Sequence, residues 1–249
     1  LSTPQSSSFL FVDPGGLSPG LFVFRYRDHE GKTLDCVGLS PKRPEDPSEF
    51  DKRVKLLSRQ IQVTFVNLKE FQGVKALIYK DDATGLYNTR YLNDVLEKEI
   101  AAARAAKHSF AVLFIDADHF KSVNDKHGHL NGTKLLNELG EQIQKRVRDQ
   151  DIVFRYGGDE FVAVLKRADL ETARMVGERI RKGIETRSFL ADEGLDVRFT
   201  VSVGIAIFPD HAVTKKEIIE IADRAMYEAK RQSRNLVFVL PSRKVAARS

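Results

Sequence analysis

From residue 81 onward, the apolar residues follow two patterns: some recur at helical spacing and others form short continuous runs. Helical spacing of apolar residues predicts helices at about 89–107, 132–148, 170–187 and 215–231. Continuous apolar runs predict strands at 110–115, 198–207 and 236–240. Two further runs, 152–156 and 161–165, flank Gly157-Gly158 and predict a hairpin. A direct hairpin among helix-linked strands favours an α+β fold, with a mixed, largely antiparallel central sheet flanked by helices.

The first eighty residues follow a different pattern. Apolar runs at 9–12 and 21–26, separated by Asp13-Pro14-Gly15-Gly16, predict short strands of a small β-containing module. Prolines follow at 41, 44 and 47, and Ser48 can cap a helix that continues to about residue 79. We therefore expect three parts: a module at 1–47, a long helix at 48–80 and a larger domain at 81–249.

The long helix has an apolar seam with alternating steps of three and four residues, interrupted at Thr64 and Lys75. Two interpretations are open: an amphipathic helix packed on its own module, or a parallel helix that joins two copies of the chain. The seam consists of Val54, Leu57, Ile61, Leu68, Phe71 and Ile78.

Composition narrows the class of protein. In 249 residues, 42% are hydrophobic, which is enough for a buried core. Lys and Arg number 40 against 35 Asp and Glu, without a run of like charges, so nothing indicates a nucleic-acid partner. The single cysteine, Cys36, cannot form an intrachain disulfide, and a cytoplasmic location is expected. The apolar runs are shorter than the ~20 residues of a membrane span, so no membrane association is expected.

Two pairs of acidic residues stand at predicted strand ends. Asp116 and Asp118 directly follow an apolar strand, and Asp159-Glu160 lies at the tip of the hairpin. Glycines 157 and 158 allow close approach of a ligand to that tip. Mg²⁺ favours sites with one or two carboxylates, completed by water and phosphate oxygens. Alternatively, the first pair only caps the next helix.

Several motifs occur together in a fixed order over residues 81–239. The first is 82–90, Asp-Ala-Thr-Gly-Leu-Tyr-Asn-Thr-Arg, and the second is 116–125, followed by Gly128-His129 and Gly132. The hairpin carries Gly-Gly-Asp-Glu-Phe at 157–161, and 222–230 is followed by Arg234-Asn235. This ordered set resembles the GGDEF family of diguanylate cyclases, whose domain has a fold like a polymerase palm. The N-terminal module resembles the end of a GAF-like sensory domain.

The resemblance implies roles for individual residues. Asp116, the Ala117 carbonyl and Asp159 would hold Mg²⁺ or Mn²⁺, two ions per active site, which would acidify the attacking hydroxyl and neutralise the leaving pyrophosphate. Glu160, or Asp159 through the cation, would help to deprotonate that hydroxyl. Backbone amides at 119–121 would suit the phosphates, with Lys121 also catalytic. The implied nucleotide-binding residues are Phe120, Lys121, Asn124, His129, Thr133, Gly158, Lys230 and Arg234.

A second site is implied for the cyclic product. Arg148 and Asp151 match the family's inhibitory R-x-x-D motif, and Arg179 resembles its secondary arginine. An arginine can stack on guanine or bind it with two hydrogen bonds, and a carboxylate can accept from guanine N1 and N2. On this match, the resemblance implies inhibition by the product. The simpler alternative is that these residues are only a charged helix end before a strand.

Two positions depart from the family pattern: Ser233 stands in place of a usual glycine, and the second departure is next to Gly132. The residue after Gly132 is usually Asp, which pairs with an Asn, here Asn124, to read guanine; this chain has Thr133. A threonine hydroxyl accepts or donates one hydrogen bond, so it can also donate to adenine N1. The chain thus resembles the hybrid promiscuous subgroup, which makes cyclic GMP-AMP from GTP and ATP alongside cyclic di-GMP.

One site of this kind holds one nucleotide, so a product with two linkages requires a homodimer whose substrates meet face to face. A rival function is a catalytically inactive receptor that binds cyclic dinucleotide and acts through protein contacts. That rival predicts loss of the metal- and phosphate-binding residues, yet all are present. The segment 128–134 also misses the spacing of a P-loop.

Overall fold

The computed structural model describes residues 9–12, 20–27, 33–40, 52, 56, 60, 63 and 78–241, and the chain divides into two compact units, 1–75 and 76–249. In the first unit, β1 (Phe9–Val12), β2 (Gly20–Arg27) and β3 (Thr33–Ser40) form an antiparallel sheet in that order. β3 was not predicted, because Asp35 and Gly38 are residue types that strands disfavour.

Part of the predicted long helix is described. Lys52, Leu56, Gln60 and Val63 are helical, as are residues 78 and 79. Leu56 and Val63 are exposed. Of the predicted seam, Ile78 is described and 39% exposed, whereas the other members lie outside the described residues. These are Val54, Leu57, Ile61, Leu68 and Phe71.

The second unit is a five-stranded sheet with helices on both faces. Its strands are β4 (Phe110–Ala117), β5 (Ile152–Gly157), β6 (Glu160–Leu165), β7 (Val201–Phe208) and β8 (Val237–Val239). Its helices are α1 (Thr89–Ala106), α2 (Phe120–Gln144), α3 (Leu170–Glu185) and α4 (Lys215–Gln232), with a short 3₁₀ turn at Ala191–Glu193.

The strand order β5-β6-β4-β7-β8 is antiparallel except for β7 and β8, which are parallel and joined through α4. The α+β class with a mixed, largely antiparallel sheet is confirmed. Side chains of the central strand β4 alternate between two apolar cores. Leu113 and Ile115 pack with α2 and α3, whereas Val112 and Phe114 pack with α1 and α4. No helix in the described part of the chain is long and apolar enough to cross a bilayer.

The start of α2 differs from the prediction. The helix was expected from about Gly132 to 148, but it begins at Phe120, is interrupted at Gly128 and ends at Gln144. Gly128 has φ 81° and ψ 160°, a conformation that suits glycine. Of residues 120–131 only Phe120 is buried, so this stretch lacks the apolar periodicity by which a helix is recognised.

Helix α4 lies unusually close to the sheet. A Cβ placed on Gly204 of β7 would approach Ala222 O and Met226 N of α4 to 2.1 Å each. Only glycine therefore allows this helix to rest directly on the strand. The close packing matters because α4 carries Lys230, one of the predicted site residues.

Candidate active site at the end of β4 and β6

The two acidic pairs meet at one edge of the sheet. Asp116 of β4 pairs in register with Glu160 of β6, and Ala117 N–H donates to Asp159 O at 3.3 Å. The hairpin bulges between Arg155 and Gly157, and Gly158 takes φ 51°, so the loop turns tightly at this edge. The sequence expectation that Asp116, Ala117, Asp159 and Glu160 come together agrees with this register.

Asp116 is a buried carboxylate, only 4% exposed. Lys230 of α4 forms an ion pair with it, with Nζ 2.5 Å from Oδ1. Burial raises the pKa of Asp116 to about 6, and repulsion from Asp159 adds to this effect. The positive charge of Lys230 acts in the opposite direction but does not cancel it. The site thus concentrates more negative charge than the one lysine neutralises.

The acidic cluster extends beyond the residues that the sequence pointed to. Burial raises the pKa of Glu160, and the charges of Asp116, Asp223 and Asp159 raise it further. Asp223 had no role assigned from the sequence; burial raises its pKa too, opposed by Lys230. Asp223 and Lys230 are seven residues apart on α4, a spacing that places both on one helix face, and this spacing was the available signal.

Asp118, which was not among the implied metal ligands, makes hydrogen bonds that hold neighbouring elements together. It is 2% exposed, and its carboxylate accepts from Thr200 Oγ1 at 2.6 Å and Ser202 Oγ at 2.8 Å. It also accepts from Asn235 N at 3.1 Å. The carboxylate oxygens of Asp118 are thus hydrogen-bonded to a neighbouring strand and to the turn after α4. These bonds fix the end of β4, where Asp116 faces the site.

The N-terminus of α2 provides unpaired amides next to these acids. His119 precedes the helix in a left-handed conformation, φ 61°, and makes no side-chain cap. In contrast, the side chains of Asn88, Asp169 and Thr214 cap α1, α3 and α4. A helix start without a side-chain cap presents N–H groups and partial positive charge, which suits a phosphate.

A cavity of about 400 Å³ opens beside this helix start, within the usual range for small-molecule sites. Its lining includes seven of the residues predicted from the sequence: Phe120, Lys121, Asn124, His129, Thr133, Gly158 and Asp159. Gly132, Leu136 and Arg155 also line it and had no predicted role in the site.

The hydrogen bonding of two polar side chains in the cavity, Asn124 and Thr133, bears on how they can contact a ligand. Asn124 Oδ1 is buried without a hydrogen-bond partner, and it lies where a Cβ on Gly132 would be, 1.7 Å away. Glycine at 132 therefore gives Asn124 its position. Thr133 Oγ1 donates to His129 O at 3.0 Å, so its hydrogen is used and the hydroxyl can act toward a ligand only as an acceptor.

The remaining predicted cations lie apart from the cavity lining. Lys230 contacts Asp116, whereas Arg234 is exposed and follows α4 in a left-handed conformation, φ 55°. Ser233, which replaces a usual glycine, has φ −146°, a region that does not require glycine.

At the first motif, the entry motif at 82–90, the side-chain contacts are made by the preceding residue Asp81 and not by the predicted Asp82. Arg155 Nη1 donates to both carboxylate oxygens of Asp81 at 2.9 and 3.1 Å, and Thr84 donates to Oδ1 from N and Oγ1. Although burial opposes them, these hydrogen bonds lower the pKa of Asp81. The same Arg155 donates to Gly158 O at 2.9 and 3.2 Å, so it connects the entry motif to the hairpin loop.

The residues of the expected inhibitory site lie on one surface. Asp151 accepts from Arg148 N and Lys166 N, both at 3.0 Å, which orders the turn before β5. Arg148 has an exposed side chain, and Arg179 of α3 donates to Arg146 O at 2.9 Å. The turn and α3 are therefore joined beside Arg148.

The donor set fits a hard divalent cation. Two carboxylates, Asp116 and Asp159, and the backbone of Ala117 adjoin at one point, with an excess of negative charge around them. Within residues 78–241, no cluster of three or more His, Cys, Asp or Glu side chains could hold a metal ion. A site with few protein carboxylates suits Mg²⁺, which keeps water and phosphate ligands.

Comparison with known proteins agrees with this geometry. The family model described as "Diguanylate cyclase, GGDEF domain" matches residues 78–236. Diguanylate cyclase DosC of Escherichia coli K12 is 40% identical over 157 residues, which are 63% of this chain and 34% of that protein. The chain thus spans about a third of the length of this relative.

Solved structures show the same fold in the second unit. The GGDEF domain of YfiN (TpbB) from Pseudomonas aeruginosa is 34% identical with a TM-score of 0.61, covering 64% of this chain and 98% of that one. The coiled coil and GGDEF domain of DgcB from Caulobacter crescentus, in complex with c-di-GMP, is 25% identical with a TM-score of 0.66, covering 76% and 98%. With the family model matching more than half of its length, the chain belongs to the GGDEF diguanylate cyclase family.

Proposed function

We propose that this chain is a diguanylate cyclase that condenses two GTP molecules into cyclic di-GMP and releases two pyrophosphates. The observation that carries the proposal is the meeting of Asp116, Asp159 and Glu160 beside the uncapped start of α2 and a nucleotide-sized cavity. Family membership supports it, and so does the binding of c-di-GMP by the related DgcB.

Different residues of the site would bind the metal ions, accept the proton and bind the phosphates in each phosphoryl transfer. When bound, Mg²⁺ or Mn²⁺ ions, two per site and held by Asp116, Asp159 and Ala117 O, supply Lewis acidity at the 3′-hydroxyl and the pyrophosphate. Glu160 accepts the hydroxyl proton, and its raised pKa suits a base that works near neutral pH. The α2 amides and Lys121 bind the phosphates.

Within residues 78–241, one nucleotide-sized cavity adjoins Asp159, so we propose that the active form is a homodimer. The 3′-oxygen of each GTP attacks the α-phosphorus of the GTP in the partner, and the bond to pyrophosphate breaks in line. The segment 48–80 would hold two domains near each other, and DgcB likewise has a coiled coil together with its GGDEF domain. The module at 1–47 would supply a GAF-like sensory input.

The test is chromatography of products from purified protein, GTP and Mg²⁺. Wild type should yield cyclic di-GMP, and Asp159→Ala should lose at least about 100-fold in rate, because one electrostatic contact in a transition state is worth that much. Asp192→Ala, an exposed acid outside the site, is the matched control. A folded wild type that binds cyclic dinucleotide but makes none would instead indicate the inactive receptor.

We further propose that ATP is a second substrate, because Thr133 replaces the carboxylate that reads guanine. Its hydroxyl hydrogen is engaged by His129 O, so Thr133 offers one acceptor, which guanine N1–H or the adenine 6-amino group can use equally. Donation to adenine N1 would require that bond to break. Losing a two-bond contact with guanine lowers discrimination by ~1–3 kcal/mol.

Equimolar GTP and ATP should therefore give cyclic GMP-AMP together with cyclic di-GMP. Thr133→Asp should raise the ratio of cyclic di-GMP to cyclic GMP-AMP about tenfold or more, since ~1.4 kcal/mol is a factor of ten. Thr133→Ser, which keeps the hydroxyl, should leave the ratio unchanged. Cyclic di-GMP as the sole product of the wild type would refute the proposal.

We also propose feedback by the product at Arg148, Asp151 and Arg179. The exposed guanidinium of Arg148 is available for guanine, and the Asp151 carboxylate keeps free lone pairs beside its two backbone partners. Arg148→Ala should raise the cyclic di-GMP concentration for half-inhibition about tenfold, without altering the initial rate. Arg198→Ala, another exposed arginine, is the control; equal inhibition of all three proteins would contradict feedback at this site.

A further inference from the structure

The turn that follows α4 has an unusual backbone. Arg234 and Asn235 both lie in the left-handed region, with φ 55° and 46°. Asparagine tolerates this region better than most residues, whereas for arginine it is unfavourable. Two successive residues in such a conformation need contacts that hold them there.

Asn235 supplies these contacts by reaching two other elements. Its backbone N–H donates to Asp118 Oδ2 at 3.1 Å, at the end of β4. Its side-chain Nδ2 donates to Glu185 Oε1 at 2.6 Å, and its Oδ1 accepts from Arg181 Nη1 at 2.8 Å. One residue thus joins the end of α4 to α3 and to the strand that carries Asp116.

The partners of Asn235 are themselves fixed. Arg181 forms ion pairs with Glu178 and Glu185, both at 3.0 Å, and is only 13% exposed. Asp118 is buried and accepts from Thr200 and Ser202. A network whose members are mutually satisfied is rigid, so Asn235 is attached to a firm frame and not to mobile side chains.

Arg234, by contrast, depends on its backbone for orientation. Its side chain is exposed, and no hydrogen bond or ion pair to it occurs within residues 78–241. Its N–H donates to Ala229 O, and the next residue is Asn235. The direction of the Arg234 side chain is therefore set by the conformation of this turn, whose next residue is bonded to Asp118 at the end of β4.

We infer that Asn235 is a positioning residue, which holds Arg234 toward the triphosphate at the end of β4 by tying the turn to Glu185 and Arg181. The inference rests on the proposed function, together with the nucleotide-binding role that the family resemblance implies for Arg234. It gives Asn235 a part in nucleotide affinity although it is not a ligand of the nucleotide itself.

The test separates the side-chain tether from the backbone. Asn235→Gly keeps the left-handed turn and the N–H to Asp118 but removes both bonds to α3. We expect the Kd for 3′-deoxy-GTP with Mg²⁺, an analogue without the attacking hydroxyl, and the KM for GTP to rise about 3- to 10-fold. Glu185→Ala, on an exposed helix position where alanine is favoured, should shift both constants in the same direction.

Two control experiments show whether the change in Kd comes from the loss of Arg234 positioning. Asn93→Ala removes one hydrogen bond of an exposed asparagine on α1 and should leave the Kd unchanged. In an Arg234→Ala background, Asn235→Gly should add less than twofold, because the group it positions is gone. An unchanged Kd in both Asn235→Gly and Glu185→Ala, or an equal loss with and without Arg234, overturns the inference.

Failure of the proposed function would be seen separately. A wild type that binds 3′-deoxy-GTP but makes no cyclic dinucleotide refutes the activity, while the Kd comparison still tests Asn235. Thermal unfolding of each variant identifies a general loss of structure. If Asn235→Gly unfolds, the Glu185→Ala comparison with and without Arg234 decides between the same two outcomes.

Discussion

At the scale of single residues, Asp116 shows how a site can oppose the stability of its own fold. Its pKa is raised from 3.8 to about 6, first by burial and then by Asp159. A carboxyl whose pKa is raised on folding favours the folded state fully below its unfolded pKa, near 4. That contribution is lost as pH rises through about 6, because the folded state then holds a buried charge.

Asp116→Asn should therefore stabilise the protein in metal-free buffer at pH 8 but have little effect near pH 4. A shift of about 2 pKa units, in which the attraction of Lys230 is already included, corresponds to at most ~3 kcal/mol; water penetration and relaxation around the charge reduce this, so we expect ~1–2 kcal/mol. Thermal unfolding with EDTA at both pH values measures the difference, with the exposed Asp192→Asn as control. Equal shifts at the two pH values would contradict the explanation.

The sequence motifs predicted that several residues would share one site, and the structure brings some of them to one cavity. The lining of the cavity by Asn124, Thr133 and Asp159 followed from the motif. The sequence could not show which acidic residues would be occupied by hydrogen bonds within the protein. Asp118 accepts from two hydroxyls about eighty residues away, and Arg155 donates to Asp81 and not to Asp82. Such choices depend on tertiary contacts that no local pattern contains.

At the scale of elements, the apolar pattern predicted buried strands and amphipathic helices well. α1 and α4 begin where expected, because Asn88 and Thr214 cap them and their apolar faces are regular. The pattern failed for the polar first part of α2 and for β3. The first part of α2 lacks apolar periodicity, and in β3 the apolar residues are interrupted by Asp35 and Gly38, so strand pairing and backbone geometry hold these elements.

Gly204→Ala should displace α4 from the sheet and impair the site at its far end. The new Cβ would be 2.1 Å from backbone atoms of α4, which cannot move as a side chain can. We expect a loss of ~1–3 kcal/mol in unfolding free energy and a fall in cyclase rate, since α4 carries Lys230.

Gly177→Ala is the matched control for this change. Its Cβ would meet a Val237 methyl at 3.1 Å, a side-chain contact that can relax, and alanine favours the helix. Urea unfolding should show Gly177→Ala within ~0.5 kcal/mol of wild type. Comparable unfolding curves for the two variants would show that α4 does not depend on the glycine in β7.

At the scale of the whole chain, hydrogen bonds within the second unit connect its first described residues to the catalytic loop. Asn88 Nδ2 donates to Ile78 O and Lys80 O, and Tyr79 hydroxyl donates to Asp94. Arg155 then connects Asp81 to Gly158 of the signature loop. The direction in which the chain enters the second unit is thus fixed with respect to the catalytic hairpin.

Deletion of residues 1–75 should leave a folded second unit whose activity depends more steeply on protein concentration. Residues 76–249 contain both apolar cores and every proposed site residue, so cooperative unfolding should persist. If the segment 48–80 joins two chains, the two catalytic domains meet at a high effective concentration, of order mM for a short linker. Without that segment, each encounter becomes bimolecular.

The measurement is the initial rate per protomer over a range of concentrations from about 0.1 to 100 μM. The full chain should reach its plateau at a concentration at least about tenfold lower than the truncated chain, and the two plateaus should converge, because the sites are the same. Sedimentation of both proteins gives the monomer fraction at each point. Superimposable rate curves would show that residues 1–75 do not promote dimerisation, and a second unit active as a monomer would refute the two-protomer mechanism.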